Sequence, residues 1–84
     1  MISVIIPTYN EEESICETIQ RIQEFDETNL VKEIIIADGG STDRTVATVK
    51  SEGAKVVISP AKGRGAQMNY GASIAQNEIL YFLN

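Results

Sequence analysis

Apolar residues along this chain come in short packets whose spacing changes from one packet to the next. Ile2 to Ile6 is an almost unbroken β-branched run, the pattern of a strand covered on both faces. Pro7 cannot donate to a sheet ladder, so the strand is predicted to end there. From Glu11 to about Glu24, Ile15, Ile19, Ile22 and Phe25 recur at helical spacing, with Glu12, Glu17, Arg21 and Glu24 left to solvent. Asn10 and Glu13 have the spacing of a capping box, which would satisfy two orphan amides at the start of this helix.

The next packet, Val31 and then Glu33-Ile-Ile-Ile-Ala37, reads as strand two and ends at Asp38. Gly39-Gly40-Ser41-Thr42-Asp43 supplies a flexible turn, a hydroxyl cap and an acidic first turn. Val46 and Val49 then mark the inner face of helix two, which Gly53 stops. Lys55 to Ser59 is predicted as strand three, Pro60 to Gly63 as a loop, Arg64 to about Ala75 as helix three and Glu78 to Leu83 as strand four.

The order is β-α-β-α-β-α-β. Parallel strands need long crossovers, and right-handed crossovers lay helices on the sheet faces, so the pattern predicts an α/β domain: a doubly wound, Rossmann-like parallel sheet of four strands. Ligands of such sheets sit beyond the carboxyl ends of the strands. Those ends carry Pro7 to Glu11, Asp38 to Ser41 and Ser59 to Arg64, which are also the most chemically unusual segments of the chain.

Composition narrows the classes. The 84 residues form one domain, 1–84, with no internal boundary or repeat, and a chain of this size buries somewhat more than ~60% of its unfolded surface. Seven basic residues against twelve acidic ones give a net charge of −5, which argues against broad contact with nucleic acid or an anionic membrane. No window reaches the ~18 apolar residues of a transmembrane segment, and Met1 leads directly into a strand rather than a signal sequence. A cytoplasmic protein is the expectation. Cys16 is the only cysteine and histidine is absent, so neither a disulfide framework nor a Cys/His metal site can form within one chain.

Several chemistries fail on motif. There is no G-x-G-x-x-G after strand one, no phosphate-binding G-x-x-x-x-G-K-[ST], and without histidine no Ser-His-Asp triad. What remains has local alternatives. Tyr9 packs over its turn or faces a ligand, and Glu11 to Glu13 border a site or complement a helix dipole. Asp38 caps its own turn, or with Gly39-Gly40 lets a ligand approach the backbone closely. Lys62-Gly63-Arg64-Gly65 is a solvated basic loop or, at a helix start, an anchor for phosphate or a polar base. Met68, Tyr70, Tyr81 and Phe82 read as core or interface residues.

Taken together, Ser3-Val-Ile-Ile-Pro-Thr-Tyr-Asn-Glu11, Ile36-Ala-Asp-Gly-Gly-Ser-Thr-Asp43 and Gly63-Arg-Gly65 resemble the amino-terminal half of family-2 glycosyltransferases. Arg64-Gly-Ala-Gln-Met-Asn-Tyr-Gly-Ala72 is similar to a bacterial branch of that family. The resemblance spans essentially the whole chain and implies the first half of a GT-A fold, binding a nucleoside diphosphate sugar, commonly a uridine one. It implies that Pro7, Tyr9 and Glu11 border the nucleoside, with Tyr9 stacking on the base. Asp38 would accept from the ring imide of the base, Gly40 and Ser41 would line the pocket floor, Arg64 would reach base or phosphates, and Lys62 would lie near the anion.

The chain departs from that family twice. Gly39 stands where many relatives have a second acidic residue, and the D-x-D that holds a divalent metal (Mn or Mg) follows strand four, where this sequence stops at Asn84. The resemblance therefore implies a truncated donor-binding half, inactive by itself, of a parent that transfers a sugar to an acceptor and carries the metal. Strand four would then be a bare edge, inviting a homo-oligomer through Ile79 to Leu83. The alternative is a non-catalytic nucleotide-binding or assembly module complete at 84 residues. A receiver-like signalling domain is weakened because strand one ends in Pro7-Thr8 rather than an acidic cluster.

Overall fold

A computed structural model describes residues 1–82 of the chain. The elements alternate as β1 (Ile2–Thr8), α1 (Ile15–Phe25), β2 (Val31–Asp38), α2 (Thr45–Lys50), β3 (Lys55–Ile58), α3 (Arg64–Ile74) and β4 (Glu78–Tyr81). The four strands form one sheet in the order β3-β2-β1-β4, and every pairing is parallel. Two crossovers step outward from β1 and the third returns across the opposite face, which is the doubly wound, Rossmann-like arrangement read from the pattern of packets. Leu83, the predicted end of strand four, lies outside the described residues.

The buried run of β1 is explained by its central place. Val4 and Ile6 face Ile15, Ile19 and Ile22 of α1 and Val49 of α2, together with Ile34 and Ile36 of β2. Ile5, Ile35 and Ala37 point the other way, beneath Ile74 of α3. Each fully buried isoleucine contributes on the order of 1.5–3 kcal/mol of transfer free energy, so the strand pair β1 and β2 is the stable heart of the molecule. Gly71 lets α3 lie close on this second face, because a Cβ there would stand 2.6 Å from Ile5 Cγ2.

Five expectations change. Pro7 does not end β1; it pairs with Ala37 in register and the strand runs on to Thr8. Amides alternate sides along a strand, and Ile5 accepts from Phe82 on the β4 side, so the missing N–H of Pro7 also faces that side, beyond the last described pair, Ile5 with Tyr81. No ladder bond to β2 is lost.

The capping box at Asn10 and Glu13 does not form. Asn10 takes a left-handed conformation, φ 50°, and α1 begins four residues later than predicted, at Ile15. Residues 11–14 make a turn in which Ser14 and Ile15 donate to the Glu11 carbonyl. Phe25, expected on the inner face, is 81% exposed at the last position of α1. The hydroxyl cap expected for α2 is replaced by a carboxylate, since Asp43 Oδ1 accepts from both the amide and the hydroxyl of Thr45.

Candidate functional site at the strand ends

The carboxyl ends of β1 and β2 lie side by side, with Thr8 opposite Asp38. The loops that leave them are stitched together by side chains of opposite loops. The Asn10 amide donates to Ser41 Oγ, and Asn10 Oδ1 accepts from the amides of Thr42 and Asp43. The Glu11 amide donates to Thr45 Oγ1, and that of Glu12 to Asp43 Oδ2. The amides of Asn10, Glu11 and Glu12 before α1 thus find acceptors in the segment that starts α2. Burial pushes the Asp43 carboxyl up, but hydrogen bonds from Thr45 and from the Glu12 amide hold it below its ordinary value.

Asp38 is fully buried beneath this rim. Its Oδ1 accepts from the hydroxyls of Thr8 and Ser41, and its Oδ2 from the amides of Gly40 and Ser41. Four donors occupy the carboxylate, which therefore shapes the turn in which Gly40 takes φ 89°. To meet a base directly it would have to release one of them. Ser41 is likewise spent on Asp38 and Asn10, so it braces the loop rather than presenting a free hydroxyl.

Beside these two residues opens a hollow of about 400 Å³ lined by Pro7, Thr8, Tyr9, Glu11, Arg64 and Gln67. Four of the eight residues singled out from the sequence, Pro7, Tyr9, Glu11 and Arg64, meet on it. Tyr9 is 45% exposed, and Lys62 Nζ lies 4.5 Å from its ring centroid, a cation–π contact. Lys62 also passes Gly40, where a Cβ would be 3.8 Å from Lys62 Cε. Asp38, Gly40 and Ser41 form the turn beside the hollow, and none of them lines it. The arrangement joins an exposed aromatic face to two cations at the start of a helix, which suits a flat ring carrying an anionic group.

Gln67 is the site residue that sequence reasoning missed. It is 5% exposed, and its Nε2 donates to the carbonyls of Thr8 and Ala37 while its Oε1 accepts from the Gly63 amide. A signal was present: a glutamine on the same α3 face as Gly71 and Ile74 has an amide to satisfy inside the molecule. The structure also accounts for Gly39, since a Cβ there would lie 2.7 Å from Gln67 Oε1. An acidic side chain at 39 has no room while Gln67 is in place.

A roomier hollow of about 690 Å³ opens at the amino ends of the strands, lined by Gln23, Asp26, Glu33, Lys55 and Asn77 among others. Its size does not make it the better site. Its central charges are consumed internally, because Lys55 pairs with Glu33 at 2.8 Å and Ser3 donates to the same carboxylate. The lysine first, and then Ser3, hold the Glu33 carboxyl down to about 2. Among the described residues no group of three or more acidic or thiol side chains could hold a metal ion, and no helix is long and apolar enough to cross a membrane.

The parallel fold and the motif-bearing rim are those of an α/β domain with its loops gathered at the strand ends, and the chain belongs to glycosyl transferase family 2, whose family model matches residues 3–84. An uncharacterized glycosyltransferase of Rickettsia felis is 36% identical over 77 residues, covering 92% of this chain and 25% of that protein. Glucosyl-3-phosphoglycerate synthase of Mycolicibacterium smegmatis is 31% identical over 91 residues, covering 99% of this chain and 30% of its own length. Among solved structures, mannosyl-3-phosphoglycerate synthase from Rubrobacter xylanophilus superposes with a TM-score of 0.89 at 25% identity, over 99% of this chain and 30% of that one. Glucosyl-3-phosphoglycerate synthase from Mycobacterium tuberculosis, solved with Mn2+, uridine diphosphate and glucosyl-3-phosphoglycerate, gives 0.81 at 29% identity, over 99% and 33%. The chain therefore spans about a quarter to a third of the length of the relatives it matches, and its four-stranded unit is that of a GT-A glycosyltransferase.

Proposed function

We propose that the hollow at the strand ends, in a domain spanning residues 1–84, binds the nucleoside diphosphate portion of a sugar donor, with uridine as its base, as the donor side of glycosyl transfer. The observation that carries this reading is the meeting of Tyr9, Glu11 and Arg64 on one hollow with Lys62 over the tyrosine ring. Tyr9 is the platform on which the base stacks, and Pro7 and Glu11 border the nucleoside. Arg64 and Lys62 compensate the charge of the diphosphate at the start of α3. Asp38 acts from below, through Gly40 and Ser41, by fixing the turn against which the donor rests. Support comes from the Mycobacterium tuberculosis relative, which holds uridine diphosphate. Family membership also favours this reading over a self-contained assembly module.

That relative holds Mn2+ beside its nucleotide. The described residues of this chain bring no three metal-binding side chains together, so no step is assigned to a metal and no residue here is given a catalytic role. Sugar transfer and its acceptor belong to the proposal for the whole protein.

Isothermal titration with uridine diphosphate tests the site, and the same affinity is expected with and without manganese. Tyr9→Ala removes a stacking face worth about 1–3 kcal/mol per base. Arg64→Ala removes a charge-assisted hydrogen bond worth about 1.5–3 kcal/mol. Asp38→Ala unbraces the turn and abolishes binding. Unchanged affinity in both the Tyr9 and the Arg64 variants would move the nucleotide elsewhere.

A further inference from the structure

We infer that Gln67 is a positioning residue for the diphosphate, and that it performs this role in exchange for a side chain at position 39. The inference rests on the reading of the hollow as a nucleoside diphosphate site and deepens it. Gln67 sits in the first turns of α3, three residues after Arg64. Its amide group spans the tips of both central strands, 2.9 Å from the Thr8 carbonyl and 2.8 Å from that of Ala37. Its oxygen takes the Gly63 amide at 3.1 Å, at a residue whose φ is 115°.

One buried side chain thereby connects three separate stretches: the end of β1, the end of β2, and the loop that bears Lys62 and Arg64. Gly63 lies between those two cations, so its amide is the handle by which the loop is held. Carbonyl oxygens at the strand ends turn negative lone pairs toward any phosphate placed there, and the Thr8 carbonyl already accepts from the Gly39 amide. Gln67 gives the Thr8 and Ala37 carbonyls a further donor, and it anchors the cations on the same rim.

Gly39 follows from this arrangement. It does not have the positive φ of Gly40, so no left-handed backbone calls for glycine there, and what crowds a side chain is the Gln67 amide. A Cβ at 39 would lie 2.7 Å from Oε1, 3.0 Å from Cδ and 3.2 Å from Nε2. Position 39 and position 67 compete for one space. Filling it from 39 displaces the amide that holds Gly63, and the cations lose their register with the strand ends.

The test compares uridine diphosphate with uridine, because only the first carries the anion that the loop addresses. Both are titrated into the full 84-residue chain and into Gln67→Met, which keeps side-chain length but makes none of the three hydrogen bonds. Uridine diphosphate affinity is expected to fall about tenfold while uridine affinity stays within about twofold, the scale of one or two lost hydrogen bonds to the loop. Gly39→Ala deletes nothing at 67 and should give the same selective loss, which keeps the test open if the methionine variant does not fold. A Gly39→Ala, Gln67→Ala double variant should lose less affinity than the sum of the losses in Gly39→Ala and Gln67→Ala separately, since the truncated residue 67 leaves room for the methyl group.

A merely structural Gln67 would weaken both ligands equally, and that outcome, an unchanged ratio, or strictly additive losses would each overturn the inference. Failure of the unaltered chain to bind uridine diphosphate is a different result. It removes the nucleotide reading itself and this role with it.

Discussion

Asp38 shows how a carboxylate at a strand end can lie next to a hollow without lining it. A carboxylate at the end of a buried strand, followed by two glycines, was legible as either a turn cap or a ligand contact. The structure gives it four internal donors. Asn10 was legible as a cap but not as a cap for the neighbouring loop, because a capping box is a local rule, whereas Asn10 Oδ1 accepts from the amides of Thr42 and Asp43 in the loop after β2. Glu33 had no assigned role, since nothing local marks a strand glutamate that will meet Lys55 and Ser3. Its carboxyl is held at about 2 in the fold, against an ordinary value of about 4.3 in the unfolded chain. A lowered folded value stabilises above the unfolded one and is lost as pH falls toward the folded one. Denaturant titration should therefore find the unaltered chain more stable than Glu33→Gln at pH 6, with the difference shrinking between about pH 4.3 and about pH 2. A difference that stayed constant across that window would show that the charge is not responsible.

At the scale of elements, the packets of apolar residues carried nearly all the information, because strands buried on both faces and helices with one buried face leave unmistakable periods. All seven elements occur in the predicted order. The errors fall at junctions. Pro7 stays within its strand because its missing donor is on the harmless side, a fact that depends on which neighbour each amide faces. The start of α1 moves because Asn10 turns left-handed. Helix α3 has a weak apolar pattern, and its closeness to the sheet rests on Gly71 instead of on large side chains. A methyl group added there would press on Ile5 Cγ2 at 2.6 Å. Gly71→Ala is expected to destabilise the fold by about 1–3 kcal/mol despite its better helix propensity. Thermal melting reads the sign, and a rise in midpoint would show that α3 can lift away freely.

Over the whole molecule, the sheet places β1 at the centre and leaves β3 and β4 at its margins. Ile79 and Leu80 of β4 are exposed, and Ile58 of β3 is too. We propose that, in the 84-residue chain, β4 pairs with a second copy through its exposed apolar residues. Sedimentation velocity at rising concentration should show self-association that Ile79→Lys suppresses; a monomer throughout would refute it. The placement of the hollow at the strand ends followed from topology alone. Its floor was not foreseeable, because it is made by Gln67, a residue brought there by packing.

The mutual stitching of the first two loops has a dynamic consequence. Since the amides leading into one helix are held by hydroxyl and carboxylate groups leading into the other, neither can fray while the other stays closed. Opening one shoulder of the rim strips hydrogen-bond partners from the other, so the two are expected to open together rather than one at a time.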